Sequence, residues 1–257
     1  MMKKLWLGRY IDGSSVYHAF DPRSKLVMMV LNLLMIICTV NWEQLLCVTL
    51  FTFSLLCLSK IPFSFYLRQA MFLKYMYFFF LMFFTLTEGT TFLLKIGIFR
   101  VSLDGLWIGA FYVTKMMLFV ILGALLTFTT SPGEIVAGVR TLFKSPSIER
   151  FAFMAGLSIR LIPMILEEVK LIYNAQQSRG LDFSELRLQD KFKKLLSIII
   201  PAISNTVKRL MMMIEAMECR GYVVGEQRTS IYRLQFRMRD VCLLVYGILV
   251  LAIVILL

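Results

Sequence analysis

Five long apolar runs separated by more polar connections are the main pattern in this sequence. The runs cover residues 26–40, 45–58, 72–86, 106–130 and 241–257. A membrane-spanning helix needs roughly 20 mainly apolar residues, or slightly fewer where flanking Lys or Arg side chains can reach the interface. The pattern therefore predicts an all-α integral membrane protein with about five transmembrane helices.

Three further segments mix apolar and polar residues with a helical period. Residues 60–74 place three Lys and Arg residues among aromatic side chains, which favours a helix at the headgroup boundary over a helix that crosses the membrane. Residues 157–178 and 190–220 repeat apolar positions about every 3.6 residues, as long amphipathic helices do. Two such helices cannot form much of a core alone, so they must lie on the membrane, on each other or on a partner.

The distribution of Lys and Arg predicts the orientation of the helices. Residues 131–240 hold 17 of the 28 Lys and Arg residues, and residues 1–25 and 60–74 hold eight more. Cytoplasmic connections carry an excess of these residues. We therefore predict a multi-pass protein of the cell membrane, with an N-terminal membrane domain (1–130), a cytoplasmic region (131–240) and a C-terminal span (241–257). The N-terminus is then cytoplasmic and the C-terminus lies outside.

Local signals predict several helix boundaries. Asp21 ahead of the first span is a predicted N-cap that also pairs with Arg23, and Ser131 followed by Pro and Glu predicts another helix start. Pro163 is expected to start or kink the first amphipathic helix, and Pro201 is expected to interrupt the second.

Composition narrows the possible functions. Of the 257 residues, 59% are hydrophobic, whereas a soluble domain is usually a little under half apolar. The five cysteines form no CxxC pair and His18 is the only histidine, so neither a metal site nor a cofactor is predicted. The chain has no GxxxxGK[ST] loop, so we do not expect it to hydrolyse ATP. The net charge of +12 comes mainly from Lys and Arg residues in the regions predicted to be cytoplasmic. No nucleic-acid partner is expected. Lys115 lies inside a predicted span, where we expect it to reach the interface or to face a partner.

Both predicted amphipathic helices end in the same motif, A-x-x-x-R-G. The motif occupies residues 175–180 and 216–221. Glycine after the last helical turn is the usual left-handed cap, and Arg beside it meets the negative end of the helix dipole. A single such ending is ordinary helix termination. Two of them, on helices too apolar to stand alone, indicate docking, because an Arg at a rigid helix tip can form a paired hydrogen bond with a carboxylate in a partner's groove.

The sequence resembles the transmembrane T component of energy-coupling factor transporters, the EcfT or CbiQ-like family of ATP-driven importers. The resemblance covers nearly the whole chain and rests on DPRSKL at residues 21–26, RLIP at residues 160–163, Glu167, Glu168 and the two R-G endings. It implies a non-catalytic scaffold and coupling subunit. Such a subunit transmits the motion of two ABC ATPase subunits of the EcfA type to a substrate-binding membrane S component, for vitamin or metal uptake.

The resemblance also implies roles for individual residues of the cytoplasmic coupling helices. The residues implied in ATPase coupling are Ala175, Ser178, Arg179, Gly180, Ala216, Cys219, Arg220 and Gly221. Ser178 and Cys219 stand where the family typically has Ala. The residues implied in S-component contact are Leu161, Ile165, Val169, Ile172, Met211, Met212, Met213 and Met217. Methionine suits a contact surface that accepts several shapes, but these methionines could equally pack between the two helices.

The residues alone leave two other classes open. A polytopic membrane enzyme acting on lipid would need paired acidic or His residues at the ends of spans, whereas Glu88 and Asp104 are isolated. A secondary transporter or channel subunit would show polar residues inside spans or duplicated halves. Within the resembled family, a scaffold shared by several substrate subunits and a scaffold dedicated to one are both open.

Overall fold

The computed structural model describes residues 10–11, 13, 15–88, 92–96, 99–143, 145–180, 188–223 and 235–257. The chain divides into two compact units, one within residues 1–142 and 233–257 and the other within residues 143–232. We call the first the membrane unit and the second the helix pair. Lys3, Lys4 and Arg9, which the charge pattern assigns to the cytoplasm, lie outside the described residues.

The described elements confirm the all-α class. The membrane unit contains α1 (Pro22–Cys38), α2 (Trp42–Ser59), α3 (Phe63–Phe72), α4 (Lys74–Thr87), α5 (Leu103–Thr129), α6 (Pro132–Leu142) and α9 (Met238–Leu256). The helix pair contains α7 (Pro146–Ser178) and α8 (Leu188–Glu218). One feature was not predicted: β1 (Phe92–Ile96) and β2 (Phe99–Ser102) form a short antiparallel hairpin between α4 and α5, with Ile96 opposite Phe99.

The number of possible spans agrees with the prediction of about five, but the set differs, because it includes part of α8, which the charge pattern assigns to the cytoplasm, and does not include α1. Within the described residues, four helical segments are long and apolar enough to cross a membrane, namely α2, α5, α9 and Leu195–Glu218 of α8. The α3 and α4 helices give a fifth candidate if they are taken together, although they are bent by 59°. The α1 helix has 17 residues and is therefore about 26 Å long, close to the lower limit for a span.

The contacts at helix ends fix the crossing directions inside the membrane unit. The backbone N–H of Asp21, before α1, donates to the carboxylate of Asp240 in the first turn of α9, so α1 and α9 begin at the same boundary and run parallel. Gln44, in the first turn of α2, donates to the carbonyl of Val254 near the end of α9. The α2 helix is therefore antiparallel to α9, and the chain's C-terminal residue lies at the opposite boundary from the start of α1.

The core of the membrane unit forms around α1, which contacts α2, α5, α6 and α9. Met28 and Met35 of α1, Val48 and Leu55 of α2, and Leu125 of α5 are fully buried. These are large apolar residues with helical spacing on the inner faces, and their burial stabilises the bundle against separation of its helices.

The helix boundaries confirm the predicted caps and correct one start. Asp21 is the N-cap of α1 and accepts from the N–H of Arg23 at 2.9 Å. At the start of α6, Glu134 N–H donates to Ser131 Oγ and Ser131 N–H donates to the Glu134 carboxylate. The α7 helix, however, begins at Pro146 and contains Pro163 in its interior. Pro201 was expected to interrupt the second amphipathic helix, but α8 continues through it as well. A proline removes one backbone hydrogen bond, and the long apolar helix continues through it.

Candidate functional site

The two R-G endings form matching tips at the ends of α7 and α8. Arg179 follows the last residue of α7, and Gly180 adopts a left-handed φ of +85°. The α8 helix ends at Glu218, so Arg220 stands two residues past its last helical residue, and Gly221 has a φ of +72°. This backbone conformation carries a steric cost for any residue with a Cβ. Each glycine therefore ends its helix abruptly and leaves the arginine at the tip.

The backbone hydrogen bonds at the two tips also correspond. Arg179 N–H donates to Gln176 O at 3.1 Å, and Arg220 N–H donates to Met217 O at 3.0 Å. Tyr222 N–H then reaches back to Met217 O at 3.0 Å, which is the bond expected when a left-handed glycine reverses the chain. The last carbonyls of each helix are thus partly satisfied within the chain, so the exposed guanidinium groups are not needed to cap them.

Small side chains surround each arginine. Ala175 and Ser178 on the first tip, and Ala216 and Cys219 on the second, are exposed. Ser178 Oγ donates to the carbonyl of Asn174 in its own helix, and Cys219 carries a free thiol. Because these side chains are short, another protein could approach each tip closely while the arginine extends beyond them.

A buried carboxylate holds α7 and α8 together near their middles. Glu168 of α7 is 8% exposed. It accepts from Asn205 Nδ2 at 2.8 Å and forms an ion pair with Arg209, also at 2.8 Å. Near the other end of the pair, the ring of Phe153 lies 5.2 Å from the ring of Tyr222. These two contacts show that the helices run antiparallel.

The antiparallel arrangement separates the two tips widely. Tyr222, two residues past Arg220, lies beside Phe153 near the start of α7, whereas Arg179 follows the end of α7. At 1.5 Å per residue, the tips are about 38 Å apart along α7. The two arginines therefore do not form one site.

The apolar residues predicted to contact a substrate subunit fall into two groups. Leu161, Ile165, Val169 and Ile172 of α7 are only half-exposed. Leu161, Ile165 and Ile172 share a helical stripe with Glu168, which bonds to α8, so this stripe faces the neighbouring helix. Met213 and Met217 are likewise half-exposed, whereas Met211 and Met212 are more than half exposed. The larger exposed apolar side chains of the pair are Phe151, Met154, Ile162, Leu166, Leu171, Ile200 and Ile203.

The membrane unit contains a buried polar junction that the sequence did not reveal. Asp240, 2% exposed, accepts from Asp21 N–H and Ser24 Oγ with one carboxylate oxygen and from Arg237 N–H with the other, each at 2.8 Å. One carboxylate thus caps the first turns of both α1 and α9. In the sequence, the only indication of this junction is that an acidic residue, Asp240, stands just before the C-terminal apolar run. Within the described ranges, no group of three or more His, Cys, Asp or Glu could hold a metal ion.

Two lysines make corresponding contacts at helix ends. Lys25 is 1% exposed, and its Nζ donates to the carbonyl of Thr129 at the end of α5. Lys115 donates to the carbonyl of Thr39, the C-cap of α1, at 2.6 Å, and lies 4.9 Å from the centre of the Phe111 ring. A cation stabilises the negative end of a helix. The structure therefore gives Lys115 a partner inside the chain.

Comparisons with known proteins identify the family. The profile of the CbiQ family, described as cobalt transport protein, matches residues 13–231. The chain is 32% identical to the energy-coupling factor transporter transmembrane protein EcfT of Listeria innocua, over 95% of each chain. It is 36% identical to the protein of the same name from Streptococcus thermophilus, over 93% of each chain, and 31% identical to that of Bacillus subtilis, over 95% of each. The chain therefore belongs to the CbiQ family, which includes the transmembrane proteins of energy-coupling factor transporters.

Proposed function

We propose that this chain is the scaffold through which two ATPase subunits drive a substrate-binding membrane subunit in vitamin or metal uptake. Its N-terminus and residues 131–240 face the cytoplasm, since these regions and the 60–74 connection hold most of the Lys and Arg residues. The chain supplies no ATP site, because it lacks a phosphate-binding loop. The transported substrate is a property of the membrane partner.

The observation that carries the proposal is the pair of matching tips. Each tip presents an exposed arginine followed by a left-handed glycine and flanked by small side chains. The tips point away from the ends of one antiparallel pair and lie about 38 Å apart along α7. A single groove cannot accept both, so the arrangement fits two equivalent docking sites, one on each of two ATPase subunits.

The chemistry of the tips favours a carboxylate as the partner. Neither Arg179 nor Arg220 makes an ion pair among the described residues. A guanidinium can form two parallel hydrogen bonds with a carboxylate, and this pairing is stronger where the groove excludes water. Loss of one member of a buried pair typically costs about 3 to 5 kcal/mol, whereas loss of an exposed pair costs about 0 to 1 kcal/mol.

Exposed apolar side chains on α7 and α8 support contact with a membrane partner. Leu161, Ile165 and Ile172 are half-exposed and share the stripe of α7 that faces α8. Ile162 and Leu166 are 55% and 63% exposed, and Ile200 and Met212 are 63% and 59% exposed. Large exposed apolar side chains of this kind are typical of a surface that contacts a membrane or another protein. We assign the S-component contact to these residues together with the predicted methionines.

Charge reversal at the tips tests the proposal. Arg179→Glu or Arg220→Glu is expected to weaken binding of the ATPase subunits by about 100-fold, corresponding to about 3 kcal/mol. The double variant is expected to abolish co-purification of both ATPase subunits and substrate uptake. The measurements are the yield of each ATPase in a pull-down with the tagged full chain and the rate of uptake by cells.

A matched control separates docking from damage to the helices. Lys170 and Lys208 are exposed cations within the same two helices, away from the tips. Lys170→Glu and Lys208→Glu make the same change in charge and should leave co-purification unchanged. The proposal fails if the double tip variant retains both ATPases at wild-type yield, or if the control variants lose them equally.

A further inference from the structure

An open apolar groove lies between the end of α2 and the start of α9. It consists of two adjoining cavities with volumes of about 500 and 410 Å³, both lined by Val16, Leu58 and Tyr246. Cys57 lines the first cavity and Cys242 lines the second.

Two cations stand at the boundary end of this groove. Lys60, directly after α2, lines the first cavity, and Arg239, in the first turn of α9, lines the second. Both side chains are exposed, and neither forms an ion pair within the described residues. The carboxylate of the neighbouring Asp240 is buried, and its oxygens already accept hydrogen bonds from Asp21, Ser24 and Arg237. The groove therefore has apolar walls and a positive entrance.

The backbone at Lys60 adds an independent observation. Its φ is +53°, a left-handed conformation at the C-cap of α2. Glycine takes this conformation without steric cost, whereas a residue with a Cβ does not. Among the described non-glycine residues, Lys60 alone has a positive φ. The chain thus holds a positive side chain at the groove in a position where glycine would satisfy the backbone better.

The crossing directions place the groove at a membrane boundary. The α1 and α9 helices begin at that boundary, and antiparallel α2 ends there. From the two cations, the groove runs along α2 and α9 past Cys242 to Tyr246, whose hydroxyl lies 3.4 Å from Ser54 Oγ. Cations at the interface attract anionic headgroups, and the apolar stretch beyond them accepts hydrocarbon.

We propose that this groove binds one anionic glycerophospholipid. Its phosphate lies between Lys60 and Arg239, and an acyl chain lies along the α2 and α9 walls. The two cations favour a lipid over a transmembrane helix of a partner, because an anionic headgroup at the membrane boundary neutralises both Lys60 and Arg239. The site is separate from the tips, so its failure would leave the proposed coupling role untouched.

Lipid retention by the purified full chain tests the site. The chain is exchanged into detergent containing equal amounts of phosphatidylglycerol and phosphatidylcholine with identical acyl chains, and retained lipids are counted by native mass spectrometry. Wild-type protein should retain one phosphatidylglycerol in at least tenfold preference to phosphatidylcholine. The Lys60→Gly, Arg239→Gln double variant should lose this preference. Lys60→Gly also relieves the backbone strain, so α2 is expected to remain folded, and the thermal unfolding midpoint checks this.

A control variant at two other cations and the labelling rates of native cysteines show where the lipid binds. Arg68→Gln with Lys74→Gln removes two exposed interfacial cations that do not line the groove and should preserve the preference. Bound phosphatidylglycerol should slow thiol labelling of Cys57 and Cys242 severalfold without slowing that of Cys38, which is also exposed.

Several outcomes would overturn the proposal. These are equal retention of the two lipids, equal loss in the control variant, or unprotected groove cysteines despite retained phosphatidylglycerol. Displacement by millimolar glycerol phosphate would indicate a headgroup site without acyl-chain binding. Cross-linking of Cys242 to another protein in the native membrane, with no protection by lipid, would assign the groove to a protein partner.

Discussion

The membrane unit and the helix pair satisfy the hydrophobic effect in different ways. The connected cluster of buried apolar residues lies wholly in the membrane unit. In the described part of the helix pair, the buried residues are Ala152, Glu168, Ile198 and Ala202. Two helices of 33 and 31 residues with so little burial resemble half of an interface more than a domain. The contrast indicates that the membrane unit has its own apolar core and that the helix pair leaves apolar side chains for contact with the membrane or with another protein.

Buried polar groups show the same contrast. In the membrane unit, Asp240 and Lys25 join helices that are distant in sequence, and both are almost fully buried. In the helix pair, Glu168 bonds to Arg209, whose side chain is 47% exposed. A buried network that loses a member leaves unpaired groups, whereas a half-exposed group can return to water. Substitutions in the two regions should therefore differ in their cost.

The largest effect is expected at Asp240. Asp240→Ala should lower the free energy of unfolding of the membrane unit by about 3 kcal/mol, because the donors on Asp21, Ser24 and Arg237 lose their acceptor. Asp240→Asn keeps one carbonyl oxygen and should cost less than half as much. Unfolding of the purified chain in detergent, followed by temperature or denaturant, measures both. Wild-type stability of the Ala variant would show that this junction does not hold α9 to α1.

A smaller effect is expected at Glu168. Glu168→Ala should cost about 1 kcal/mol, since Arg209 can be hydrated, but it should broaden the distance between the tips. Spin labels on Cys219 and on a cysteine at Ser178, with the other cysteines changed to serine, report that distance by pulsed electron resonance. Glu167→Ala alters an exposed neighbour and serves as the control. Equal distance distributions in the two variants would mean that the contacts of Glu168 with Asn205 and Arg209 do not set the separation of the tips.

The most local effects are expected at the glycines. Gly180→Ala and Gly221→Ala should each destabilise the adjoining helix end by about 1 kcal/mol because of their positive φ. Amide exchange in the last turn should accelerate about fivefold. Gly156→Ala within α7, where an added Cβ meets no atom within 4 Å, should instead stabilise the helix slightly. If all three changes affected exchange alike, the left-handed caps would not be what ends these helices.

Local patterns accounted for much of the fold. Apolar runs predicted the membrane helices because a span must be apolar over nearly its whole length. The caps at Asp21 and Ser131 were predictable because a cap involves neighbours within three residues. The predicted start of the first amphipathic helix at residue 157 was wrong, because α7 begins at Pro146 and continues through Pro163. The predicted interruption at Pro201 was also wrong, because α8 continues through it. Proline weakens a helix locally and does not by itself decide where a long helix begins.

The sequence by itself determined the family, the membrane class and the two arginine tips, since each of these is written in composition or within a few adjacent residues. Only the tertiary structure decided which helices meet. Asp240 accepts from the N-cap residue of α1, 219 residues earlier, and Lys25 donates to a carbonyl 104 residues later. The tertiary structure also decided that the stripe of Leu161, Ile165 and Ile172 faces α8. It placed Lys60 and Arg239 beside one groove. Such pairings depend on packing between distant segments, which neither hydrophobic period nor capping residues encode.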